Sequence, residues 1–407
     1  MSSRAQTGHR TADAAALFDG DRLKLARQLA GLRKSDLAGL VGKSATAVAA
    51  WESGAKRPTA PTVAQLALSL AVDPGFFVVR ADDVGAISAA PHFRSLRSTS
   101  QLARDQAFAY GRVAVDIAAS LERHVEFPEP DLPSLPVDVD DRDGDGPERA
   151  ARLVRTEWGM GTGPAGHLVR LLENRGVLVV FSPPQAASVD AYSFDTKLRP
   201  VVVLNPVKLD YYRQRFDVAH ELGHLVMHAD AEPGGHVVED QAHRFAAELL
   251  MPASELRGLL PAVMGGGVWR TLAQLKEQWG VSMQALLYRA RWLGKLSDVS
   301  YRNAMTTISS RGWRRSEPGL INIIEQPSLL PRAIELLGQE DIGEEALVEQ
   351  CRIPPALFRT VTARTPAVAP FVDAGKSTVR SDHQDSAQVV SLLDSATRQD
   401  SVKITHN

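Results

Sequence analysis

The segment FDVAHELGHLVMH, Phe216 to His228, carries the strongest chemistry in the chain. His220 and His224 are four residues apart, so on an α-helix their imidazoles lie about 40° apart around the axis, one turn along, and both reach one ion. Glu221 follows the first histidine, where a carboxylate takes the proton of a water activated by that ion instead of binding the ion. These residue types point to metal-assisted hydrolysis. A catalytic zinc takes three protein ligands and leaves one position open. Glu239, Glu248, His228, His236 and His243 are all near enough in sequence to supply the third. The only cysteine, Cys351, excludes a thiolate-rich metal site and any intramolecular disulfide, and reads as a small buried hydrophobe.

These groups need a scaffold, and the flanking pattern supplies one. Phe216, Val218, Leu222 and Leu225 give the histidine helix an apolar face, and VEDQAHRFAAELLMP, Val238 to Pro252, begins only 14 residues after His224. Upstream, Glu148 to Glu173 has helical spacing, whereas Val177 to Phe181 and Val201 to Asn205 are β-branched runs bounded by turn residues. Arg213 and Arg215 anchor the entrance of the histidine helix. His228 reads as a helix-end histidine facing backbone carbonyls, and His236, beside Gly234 and Gly235, as a loop residue. Trp269 to Asp298 forms two helices around Gly280, with Ser282 as a cap. Its Leu272, Leu275, Trp279, Leu286, Leu287 and Leu293 are expected to pack onto the same body, although a second helix-turn-helix fits the pattern too.

A different chemistry is written near the amino terminus. Asp21 to Phe77 parses as five short helices with breaks near Gly31, Gly42, Gly54 and Pro74. Leu37, Leu40 and Val41 are expected to bury one helix. Gly42 permits a left-handed turn, Ser44 caps the next helix, and Val48 and Trp51 pin that helix to the core. The formal charge of the whole chain is -2, which argues against a nucleic-acid binder. Residues 1–80 reverse that inference, with eleven basic against six acidic side chains.

Two resemblances follow from these residues. LVGKSATAVAAWESG followed by KRP resembles the Cro and phage-repressor type (XRE) helix-turn-helix, which implies a double-stranded DNA operator as partner. Carried onto this sequence, the resemblance places Ser44, Ala45, Thr46, Ala49 and Ala50 toward base edges and Lys34, Lys43, Lys56 and Arg57 near phosphates. The family usually has Gln at the position of Lys34 and longer polar side chains at Ala45, Ala49 and Ala50. Specificity is therefore expected to rest on Thr46, methyl contacts or DNA shape. RQRFDVAHELGHLVMH together with EDQAHRFAAELLMP resembles the ImmA and IrrE metallo-endopeptidases, from WGMG at Trp158 to LLMP ending at Pro252. That resemblance implies Zn²⁺ held by His220, His224 and Glu239, with Glu221 as the catalytic base. Glu239 is preferred over Glu248 because it lies thirteen residues before Pro252. Asp217 stands where the family commonly has Thr, and His243 where it commonly has Asn.

The expected fold class is multidomain: an all-α helix-turn-helix domain, then an α+β zincin-like peptidase domain, then a helical C-terminal extension. The expected boundaries are 15–80 for the helix-turn-helix, 81–127 for a connecting helical segment, 128–150 for a Pro- and acid-rich linker, 151–265 for the peptidase, 266–373 for the extension and 374–407 for a disordered tail. No run of about 18 apolar residues and no signal-like amino terminus occurs, so a cytoplasmic chain without a membrane partner is expected. The function expected is a DNA-binding regulator whose peptidase cleaves a repressor, or its own linker, to relieve repression in a stress or mobile-element response. A homodimer follows only by analogy with such repressors. The alternatives are a non-proteolytic metal- or stress-sensing transcription factor, or an antitoxin or prophage-type regulator acting through protein contacts.

Overall fold

A computed structural model describes residues 11–78, 92–93 (backbone only), 100–140, 142, 144–183, 191–205, 210–229, 235–314, 316–319 and 322–365. The tail expected from 374 lies outside the described residues. The amino-terminal segment folds as α1 (Gly20–Leu29), α2 (Lys34–Leu40), α3 (Ala45–Glu52), α4 (Ala60–Ser69) and a 3₁₀ turn, Pro74–Phe77. Leu37, Val41, Val48 and Trp51 are buried, whereas Leu40 is 59% exposed, contrary to the expectation that it buries α2. Leu37 and Val41, one turn apart, share the inward face, and Leu40 stands off it. Gly42 has φ +61°, which supplies the left-handed turn between α2 and α3. Gly20 allows α1 to meet the end of α3: a Cβ there would lie 2.2 Å from the Trp51 carbonyl oxygen.

Helix α5 (Gln101–Leu121) joins this head to the rest of the chain. The Arg22 guanidinium pairs with Asp116 of α5, and Gln106 Nε2 donates to the Leu29 carbonyl at 3.0 Å. The opposite side of α5 covers a four-stranded sheet of order β1-β3-β4-β2, built from β1 (His92–Phe93), β2 (Leu178–Phe181), β3 (Tyr192–Phe194) and β4 (Val201–Leu204). β2 and β4 run parallel, and the other pairs are antiparallel. Strand alternation divides the interior in two. Leu178, Val180, Tyr192, Phe194, Val201 and Val203 join the core that contains α5 and the amino-terminal helices. Val179, Phe181, Val202 and Leu204 face the other core, with the histidine helix.

That second core holds α6 (Gly146–Glu157), α7 (Leu168–Glu173), α8 (Tyr211–Met227), α9 (His236–Leu250) and α10 (Ala253–Leu259). It also takes in α11 (Val268–Trp279), α12 (Met283–Trp292) and α13 (Asp298–Ser310). The helices expected as one carboxy-terminal extension therefore divide. α14 (Leu329–Gln339), α15 (Glu344–Cys351) and α16 (Pro355–Val361) leave that second core and return to α5, with Cys351 fully buried among them. Two buried glutamates guide that return. Glu325 pairs with Arg215 at 2.5 Å and accepts from the Val169 amide at the start of α7. Glu173, at the end of α7, accepts from the Ser328 and Leu329 amides at the start of α14.

The Pro- and acid-rich segment lies along this body. The Leu135 and Val137 amides donate to the carbonyls of Val226 and Met227 at 3.1 and 3.3 Å. The Asp131 amide donates to the Arg175 carbonyl, and Trp158 Nε1 donates to the Asp131 carbonyl. The segment thus caps carbonyls that the last turn of α8 would otherwise leave without partners.

Candidate metal centre

Helix α8 begins at its N-cap Asp210, whose side chain accepts from the Arg213 amide. Arg215 is held inside by the carbonyls of Gly280, Gly166 and Ala165 as well as by Glu325, whereas Arg213 is exposed. The helix is buried on nearly every side over its last three turns because α9, α6 and the sheet all pack against it. Gly223 permits the closest of these approaches: a Cβ there would stand 2.9 Å from the ring of Phe245 on α9.

This packing brings His220, His224 and Glu239 together, each with a donor atom within 4.8 Å of the others. The two Nε2 atoms are 3.1 Å apart, and they lie 3.3 and 3.6 Å from oxygens of Glu239. Bonds of about 2.0–2.1 Å at tetrahedral angles require an edge of roughly 3.3 Å between ligand atoms. Two imidazole nitrogens and a carboxylate with that spacing fit a zinc-type ion. The histidines are fully buried, and the Glu239 side chain is 18% exposed.

The other four residues that sequence left open as third ligands are placed differently. Glu248 forms a buried ion pair with Arg289 and lies 3.7 Å from Arg152. His236 is exposed at the first turn of α9. His243 packs edge-on against His220, with ring centroids 4.6 Å apart, and its Nδ1 bonds the Glu239 carbonyl. His228 corrects its expected role as a partner of helix-end backbone carbonyls. It is buried, with Nδ1 3.0 Å from His224 Nδ1 and Nε2 2.9 Å from the Gln241 side-chain oxygen. Burial lowers its pKa and so favours the neutral ring, and the bond to Gln241 only partly opposes that shift.

Glu221 projects from α8 toward the sheet, where Ser193 Oγ donates to its Oε2 at 2.8 Å. The alternation of β3 explains the contact. Tyr192 and Phe194 point toward α5, the Tyr192 hydroxyl donating to the Ala107 carbonyl, so Ser193 between them faces α8. Sequence reasoning missed Ser193 and Gln241. A polar residue between two aromatics was the available signal for Ser193, but three residues are too few for a strand pattern.

At the amino-terminal head, Ser44, Ala45 and Thr46 are exposed and Ala49 and Ala50 half-buried on α3, while Lys34, Lys43, Lys56 and Arg57 are exposed around it. The Ser44 oxygen accepts from the Ala47 amide at 3.1 Å as the cap of α3. Lys34 lies 3.6 Å from Glu52, which Arg27 already pairs, and Arg57 donates to the Ala16 carbonyl. Lys43 and Lys56 are exposed beside them.

Comparison with known families agrees with both regions. Residues 172–291 match the family model described as IrrE N-terminal-like domain, and residues 23–77 match the helix-turn-helix model. No curated protein matches the chain. The chain therefore fuses a helix-turn-helix domain of XRE type to an IrrE-type peptidase domain, and the latter family implies a metal ion. The IrrE-like match runs through α11 and into α12, beyond the boundary expected at 265. Among the described residues no helix is long and apolar enough to cross a membrane.

Proposed function

We propose that the chain is a DNA-bound regulator whose zinc centre hydrolyses a peptide bond in a partner protein, relieving repression in a stress or mobile-element response. The observation that carries this reading is the triangle of His220, His224 and Glu239 beside Glu221. His220, His224 and Glu239 would hold the ion, which would supply Lewis acidity to a peptide carbonyl and to water. Glu221 takes the proton of that water and returns it to the leaving amine. Ser193 holds Glu221 Oε2 and so orients the carboxylate. Burial of the centre keeps bulk water from the reacting carboxylate.

A repressor cleaved in trans suits the geometry better than the chain's own 128–150 segment. Residues 131–137 are tied by backbone hydrogen bonds to α8 and its neighbours, which must break before that segment enters a site. Lys34, Lys43, Lys56 and Arg57 grip phosphates, with Ser44, Ala45, Thr46, Ala49 and Ala50 toward the bases. DNA binding then raises the effective concentration of the peptidase beside other operator-bound proteins. The test compares neo-N-termini by terminal labelling and mass spectrometry in cells carrying wild type or Glu221→Gln. The reading expects DNA-binding proteins cut only with wild type; identical terminal profiles would overturn it.

One observation favours a second reading, a metal-sensing regulator without hydrolysis. His220, Glu221 and His224 are each 0% exposed, which suits a sensor, whose ion need not meet a peptide. A sensor needs no proton acceptor, so Glu221→Gln leaves its regulation intact.

A further inference from the structure

His228 and Gln241 stand outside the ligand triangle, yet their hydrogen bonds decide which nitrogen of His224 carries a proton. Gln241 Nε2 donates to the Asp138 carbonyl at 2.8 Å, which turns the amide oxygen toward His228 Nε2, 2.9 Å away. The reverse amide orientation would set two oxygens against each other at Asp138. An amide oxygen only accepts, so His228 Nε2 carries the hydrogen, and in the neutral ring His228 Nδ1 is then an acceptor. His228 Nδ1 lies 3.0 Å from His224 Nδ1, and that contact takes one hydrogen, which His224 must supply. His224 Nε2 then keeps its lone pair on the side facing His220 Nε2 and Glu239.

We propose that His228 and Gln241 are positioning residues that fix His224 in its Nδ1–H tautomer, through a relay anchored on the Asp138 carbonyl. The proposal rests on the metal-centre reading above. Metal-bound histidines commonly donate their second N–H to a carboxylate, a carbonyl or water. Here the acceptor is a third imidazole, set in turn by an amide. The anchor is itself fixed, because the Leu135 and Val137 amides bind the last carbonyls of α8. The segment that sequence read as a linker therefore serves as a strap, and its attachment is felt at the metal ligand.

The test measures zinc affinity of the full chain by competition with a chromophoric chelator, for wild type, Gln241→Leu, His228→Phe and His228→Gln. Leucine and phenylalanine break the relay at successive links, while glutamine restores an oxygen able to accept from His224 Nδ1. The relay expects zinc binding to weaken about 10–100-fold in the two broken variants and to recover in His228→Gln. It also expects ¹⁵N shifts of zinc-loaded wild type to show His224 protonated at Nδ1 and coordinated through Nε2. If His228→Phe fails to fold, Gln241→Leu reads the same relay one link away. Wild-type affinity in Gln241→Leu, or Nδ1 coordination of His224, would overturn the relay while leaving the metal centre standing. A wild-type chain that binds no zinc would overturn both.

Discussion

The proposed function needs a carboxylate that is aimed as well as present, and the Ser193 hydroxyl, from another element, holds that of Glu221. Ser193→Ala removes the donor to Glu221 Oε2. A hydrogen bond to a charged group contributes about 1.5–3 kcal/mol, so we expect roughly a 10–100-fold fall in kcat with metal content unchanged, read by steady-state peptide hydrolysis beside elemental analysis. At this scale the sequence was legible for residues placed by fixed spacing on one helix: His220, Glu221 and His224. The third ligand came from a family pattern, because spacing alone admitted Glu239 and Glu248 equally. What separates them is tertiary: Glu248 is committed to Arg289, and Glu239 is turned toward the histidines. His228 was misread for the same reason, since its partner Gln241 comes from the facing helix.

At the scale of elements, the site depends on how closely α8 approaches α9. Glycine inside a helix ordinarily costs about 1 kcal/mol relative to alanine. Gly223→Ala should nonetheless destabilise the protein, by about 1–3 kcal/mol, because the new methyl meets the Phe245 ring at 2.9 Å; urea denaturation measures it, and a gain in stability would contradict the packing. Glu325→Ala leaves Arg215 buried without its carboxylate and should cost about 3–5 kcal/mol in the same assay. The helices and two of the strands were legible from periodicity and turn residues. The strap was not, because its hydrogen bonds are made to α8 and the α7–β2 turn, whereas its prolines and aspartates locally describe a linker. The destination of α14 to α16 was equally hidden, since an apolar helical face does not say which partner it will meet.

At the scale of the whole molecule, α5 is shared: one side holds the helix-turn-helix and the other holds the sheet that backs the metal centre. The near-neutral charge of the chain conceals a basic head, which only division by segment revealed. Lys43→Ala should weaken operator binding across DNA sequences and reduce the slope of log K against log salt by about 1, measured by fluorescence anisotropy. In the proposed function a metal would join α8 to α9, so chelation should lower the thermal midpoint, by an amount set by the zinc affinity. The shared core predicts that the amino-terminal head unfolds in the same transition. The most direct test of the central claim is metal content of the purified full chain, compared with Glu239→Ala and Glu221→Gln. The account predicts one zinc per chain in wild type and Glu221→Gln, with loss in Glu239→Ala. Full occupancy in Glu239→Ala, or a wild-type chain that takes up no metal when zinc is supplied, would contradict it.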